Sequence, residues 1–137
     1  MPIAGFDHVA LPTSRPEEMI SFYRRLGFVV QDAEEWKKAN LPFFSVFFGN
    51  QKINFHTPAM WQNPGFELRG PTSVPGCGDL CFVWEGGAAS LERTLAEAET
   101  AIVAGPFELQ GARGKGRSVY IRDPEDNLLE FIVYDDS

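Results

Sequence analysis

Three stretches of this 137-residue sequence place chemistry-bearing side chains at every second position. Lys52, Asn54 and His56 alternate with Ile53 and Phe55, and Ser118, Tyr120 and Arg122 alternate with Val119 and Ile121. Glu130 shares its parity with Leu128 and Ile132 and lies between Leu129 and Phe131. Successive side chains of a strand point to opposite faces, so each stretch predicts one apolar face for a core and one polar face turned away from it. A carboxylate among apolar neighbours needs a partner, because burying it alone is costly. His8 and Asp79 stand near the start of two further alternating runs. An imidazole nitrogen and two carboxylates form an N/O donor set that suits Mn²⁺, Fe²⁺, Ni²⁺, Zn²⁺ or Mg²⁺, with a first-row divalent ion expected. Taken singly, a strand histidine more often donates to a buried carbonyl, and an aspartate there more often caps a turn. The metal set therefore depends on the elements that would bring these residues together.

Gly5 to Leu11 alternates as a strand, with Phe6, His8 and Ala10 on one face. Ser14 and Glu17 have capping-box spacing, Met19, Tyr23 and Leu26 recur at helical spacing, and Gly27 stands where a left-handed cap belongs. Strands are expected at Phe28 to Gln31, Phe43 to Phe48 and Lys52 to Thr57, with a tight turn at Gly49-Asn50 between the last two. Residues 58–76, rich in Pro and Gly, read as a linker long enough to lend Trp61 and Phe66 to a pocket or simply to the surface. The same order then returns: a strand at Asp79 to Trp84, a helix near Ala88 to Ala98, and strands near Phe107 to Gln110, Ser118 to Arg122 and Leu128 to Tyr134.

Met19, Tyr23 and Leu26 map onto Leu91, Leu95 and Ala98 at a constant spacing of 72 positions, and His8 to Leu11 map onto Asp79 to Phe82 at 71. Placing Asn54 over Glu130 gives 76, which loop differences absorb. Near-equal spacings in two element types argue for a duplicated βαβββ unit and make His8, Asn54, Asp79 and Glu130 repeat-related. The expected class is α+β: two tandem βαβββ modules, about 3–57 and 77–135, forming one curved mixed-sheet cup with helices on its outer face. The whole is read as one domain over 1–137.

A net charge of −7 and a pI near 4.8 argue against nucleic acid and anionic membranes as partners. No basic leader and no long apolar run is apparent, which predicts a cytoplasmic protein. Cys77 and Cys81 read as reduced core residues, a catalytic thiol being less expected without a histidine nearby in sequence. Gly111 to Gly116 looks like a phosphate loop, but a strand follows where a helix N-terminus would be required, so a hairpin turn is expected.

The stretches DHVALPTSRPEEMISFYRRLGF, FFGNQKINFH, GDLCFVW and SVYIRDPEDNLLEFIVY resemble the vicinal-oxygen-chelate superfamily of glyoxalases, bleomycin-resistance proteins and dioxygenases, and within it the small virulence-associated glyoxalase-domain proteins. The resemblance implies that His8 and Glu130 are metal ligands. Asp79 stands where many relatives have a second histidine, and Asn54 where glyoxalase I-like members have a carboxylate. It further implies His56 or Tyr120 as the proton-handling group, Asn54, Ser118 and Arg122 as substrate contacts, and homodimerisation. The leading expectation is a divalent-metal-dependent enzyme on a small oxygen-bearing molecule, of the lyase, isomerase, thiol-transfer or dioxygenase type. Its alternative is a metal-free homodimer that sequesters a drug-like ligand on Trp36, Trp61, Phe43, Phe47 and Tyr120.

Overall fold

The first expected helix forms over Pro16–Arg25 (α1), and its ends explain its bounds. Pro16 occupies the first turn, where a missing N–H costs nothing, while Glu17 and Glu18 face the positive end of the helix dipole and Arg24 and Arg25 the negative end. The C-terminus closes as a Schellman motif: the Gly27 N–H donates to Arg24 O and the Phe28 N–H to Tyr23 O, each at 3.0 Å. Gly27 adopts φ +98°, and Tyr23 meets Phe28 edge-on at 5.3 Å. The helix cap falls one residue after the expected position, Ser14. Arg15 is the N-cap without a side-chain cap bond, and Thr13 Oγ1 accepts the Arg15 N–H at 3.1 Å.

The computed structural model describes residues 2–134, and the chain divides between Cys77 and Gly78 into two units. In the first, β1 (His8–Pro12), β2 (Val29–Gln31), β3 (Phe43–Phe48) and β4 (Gln51–His56) form a sheet in the order β1-β4-β3-β2. The β1–β4 pair is parallel and the others antiparallel. Leu11, Ile53, Phe55, Phe44 and Val46 are buried on one face, together with Met19 and Tyr23 of α1. Tyr23 and Phe44 meet Phe55 at 5.5 and 5.4 Å between ring centroids. Each such side chain contributes about 1.5–3 kcal/mol of transfer free energy, which fixes the helix to this face. The other face stays open to carry polar groups.

The second unit repeats the plan. Strands β5 (Asp79–Val83), β6 (Ala104–Gly111), β7 (Gly114–Arg122) and β8 (Leu128–Tyr134) run in the order β5-β8-β7-β6, with β5–β8 parallel and the rest antiparallel. Phe82, Leu129, Phe131, Val119 and Ile121 line the core face with Leu91 and Leu95 of α4 (Gly87–Glu97). Trp84 Nε1 donates to Ser90 Oγ at 2.9 Å and ties sheet to helix. Gly111 to Gly116 forms the β6–β7 hairpin, as expected.

Each unit is thus α+β, a four-stranded mixed sheet with a helix on one face. The registers reproduce the repeat, since Ala10 pairs with Asn54 as Cys81 pairs with Glu130. The helix ends do so too: the Thr100 N–H donates to Leu95 O at 2.9 Å, with Glu99 in the left-handed position (φ 54°) that Gly27 holds 72 residues earlier. Two short helices, α2 (Ala33–Lys37) and α3 (Pro58–Trp61), occupy stretches that gave no helical signal. At five and four residues they are shorter than the window over which periodicity shows. Among the described residues no helix is long and apolar enough to cross a membrane.

Candidate functional site

On the open face of the first sheet the register lays out three rows. His8, Lys52 and Phe47 form the first, Ala10, Asn54 and Ser45 the second, and Pro12, His56 and Phe43 the third. His8 is half exposed, and its Nδ1 lies 2.6 Å from Asp7 Oδ2. A carboxylate only accepts, so Nδ1 is the donor in this contact. Ser45 Oγ donates to Asn54 Oδ1 at 2.7 Å. The Lys52 ammonium lies over the Phe47 ring, 5.6 Å from its centroid.

The stretch after β4 folds back on the same unit. Trp61 Nε1 donates to Thr13 O at 2.9 Å, and Phe66 meets His56 edge-on at 5.3 Å. Arg69 places its guanidinium 5.2 Å from the Phe66 centroid and donates to Trp61 O. Burial, and then the charges of Arg69 and His8, hold the His56 pKa below its ordinary value. At neutral pH its imidazole is therefore an uncharged proton acceptor.

On the open face of the second sheet Asp79, Leu128 and Arg122 share one row, Cys81, Glu130 and Tyr120 the next, and Val83, Ile132 and Ser118 a third. Glu130 is half-buried between its row neighbours Cys81 and Tyr120, and the Cys81 thiol donates to Phe82 O at 4.0 Å. Desolvation, then the Glu130 carboxylate, push the Cys81 thiol up to about 12 and raise the Tyr120 phenol, so both stay protonated donors. Ser118 is fully buried, and among the described residues its hydroxyl has no hydrogen-bond partner.

The strand bearing Glu130 is set by the loop before it. Asp123 and Asn127 are both buried. Asp123 accepts the Glu125 and Asn127 N–H groups at 3.0 Å and Asn127 Nδ2 at 2.9 Å, while Asn127 Oδ1 accepts the Gly78 N–H at 2.8 Å. This clamp joins the β7–β8 hairpin to the residue that precedes Asp79.

His8, Asn54 and His56 in the first unit and Asp79, Tyr120, Arg122 and Glu130 in the second thus lie on the sheet face turned away from the helix, and Ser118 shares that face but is fully buried. Cys81 joins them. It was read as core, but both cysteines are free and exposed. The missed signal was parity, since Cys81 is two residues from Asp79 on one strand. Trp36 takes the opposite correction, because its ring meets Phe44 on the core face at 6.5 Å.

Among the described residues no three His, Cys, Asp or Glu side chains gather into a group able to hold a metal ion. As a three-donor centre they do not fit the expected divalent ion, although His8 alone has the carboxylate-backed imidazole that metal ligands use.

Comparison with known proteins gives the same fold and a family. Over 135 residues the chain is 34% identical to the glyoxalase domain-containing protein RDO1 of Mycosarcoma maydis, covering 98% of this chain and 71% of that one. It is 36% identical to the virulence protein STM3117 of Salmonella typhimurium, covering 98% and 87%. The crystal structure of STM3117 superposes with a TM-score of 0.82 at 34% identity, over 98% of this chain and 100% of that chain. A lactoylglutathione lyase from Agrobacterium tumefaciens shares the fold at a TM-score of 0.68 and 20% identity, over 97% and 96%. The family model of the glyoxalase/bleomycin resistance protein/dioxygenase superfamily matches residues 5–131, and the chain belongs to that superfamily.

Proposed function

We propose that the protein is an enzyme acting on a small oxygen-bearing organic molecule by proton transfer, of the lyase or isomerase type. The observation that carries this reading is the Cys81–Glu130–Tyr120 row. A half-buried carboxylate between two protonated donors does nothing for the core, which lies on the other face, and such perturbed clusters concentrate at functional sites. In this reading Glu130 accepts a proton from the substrate, and Tyr120 remains a donor that steadies the carboxylate and a developing oxyanion. On the first unit's own face His56 is a proton acceptor with Asn54 one row away, and on the second unit's face Arg122 lies one row from Glu130 as a substrate contact.

A metal-assisted version has one observation in its favour, the His8–Asp7 pair. It would use His8, with Asp7 behind it, as an imidazole donor to a divalent ion. Calorimetry with Mn²⁺, Ni²⁺ and Zn²⁺ on wild type and His8→Ala decides it: saturable binding lost in the variant supports it, and no binding to either protein removes it.

The test of the main reading is turnover of 2-oxoaldehyde–thiol adducts, epoxides and enolisable ketones, with and without added metal. Glu130→Gln is expected to lower kcat about a hundredfold or more while binding persists. Tight binding without turnover across the whole panel would replace this reading with sequestration of a drug-like ligand.

A further inference from the structure

The open face of the first sheet carries the Lys52 ammonium and the Asn54 amide beside two imidazoles, His8 and His56. Lys52 lies between His8 and Phe47 in its row, and among the described residues its ammonium is in no ion pair. One row on, the Ser45 hydroxyl occupies Asn54 Oδ1, which leaves the amide nitrogen of Asn54 as its outward resource. Lys52 and Asn54 are two residues apart on one strand face, about 6.5–7 Å by strand geometry, a span two donors can close on one anionic group. Arg69 adds a second exposed cation, set over Phe66. The carboxylate of Asp7 is occupied by His8. This concentration stands out in a chain of net charge −7, whose field elsewhere turns anions away. Phe47 and Phe66 flank the cations with ring faces, and Phe43 shares the row of His56.

We infer that this face is a carboxylate-recognition surface: Lys52 and Asn54 take the carboxylate of the ligand, and Phe47, Phe43 and Phe66 take its planar apolar body. The inference rests on the reading of the open faces as ligand walls and narrows the ligand to an organic carboxylate. A neutral planar molecule gains the stacking but not the charge-assisted hydrogen bonds, which are about twice as strong as neutral ones. A cationic one meets Lys52 and Arg69 and is repelled.

The experiment is an NMR titration of the full-length chain with benzoate, benzamide and benzylamine, following backbone amides and the Asn54 side-chain amide. Benzoate is expected to shift Lys52, Asn54 and their row neighbours and to bind about tenfold tighter than benzamide at low salt. That advantage should shrink as ionic strength rises. Lys52→Gln, a change at a partly exposed site, should abolish the advantage of benzoate over benzamide. Equal affinity for benzoate and benzamide overturns the inference, as does an advantage that survives Lys52→Gln, binding confined to the second unit, or no binding. The proton-transfer reading is judged separately, by the Glu130→Gln turnover assay, so either can fail alone.

Discussion

Replacing Asn127 with alanine tests whether the loop before β8 holds the start of β5 in place. The side chain makes two hydrogen bonds, accepting the Gly78 N–H at 2.8 Å and donating to Asp123 Oδ2 at 2.9 Å, and it is buried with 1% of its surface exposed. Alanine deletes both bonds where water has little access. At about 1–2 kcal/mol for each, the loss is about 2–4 kcal/mol. An unfolding entropy of about 2.1 cal/mol/K per residue puts the fall in Tm at about 10 °C for a chain of this size. Urea unfolding followed by circular dichroism measures the loss, and hydrogen exchange at the Gly78 amide localises it. Asn127→Asp supplies a control in the same geometry: it keeps an acceptor for Gly78 but sets a second carboxylate against Asp123. It should be destabilised at neutral pH and recover as acid protonates the pair. A loss below about 1 kcal/mol for the alanine variant, or an aspartate variant as stable as wild type at pH 7, would refute the clamp.

Ser118→Ala removes a buried hydroxyl that has no partner among the described residues and is expected to stabilise the fold by about 1 kcal/mol, or about 3 °C in Tm; a loss of stability would show that the hydroxyl is satisfied. Glu99→Gly relieves a left-handed residue at the end of α4 and should add up to about 1 kcal/mol, checked by the same melts. The His56 titration followed by NMR should have its midpoint below the ordinary 6.5, and Arg69→Gln should raise it. Because the folded value is lowered, the unfolded chain takes this proton first. The stability it contributes is complete above about pH 6.5 and is lost as pH falls through the folded midpoint, and His56→Gln should flatten that part of the profile. In chelator-treated protein, Cys81 should alkylate more slowly at pH 8 than Cys77 although both are exposed, and Glu130→Gln should speed it.

The sequence by itself determined the two βαβββ runs, without the short helices α2 and α3, and the face shared by His8, Asn54 and His56 and that shared by Asp79, Tyr120, Arg122 and Glu130. These are local consequences of period: alternation fixes which side chains share a face, and helical spacing fixes which stripe is buried. Hence His8, Asn54, Asp79 and Glu130 were legible as repeat-related positions, and the pairing of Ala10 with Asn54 and of Cys81 with Glu130 bears the repeat out. Tertiary structure alone decided who stands beside whom. Cys81 and Tyr120 reach Glu130 from strands that are 49 and 10 residues away in sequence, and Phe66 and Arg69 return to His56 from a stretch without periodic signal. The same holds for the bond from Gly78 to Asn127. Alternation specifies a direction for each side chain but no neighbour, because neighbours across strands are set by register, and register is chosen by the packing of the whole sheet against its helix.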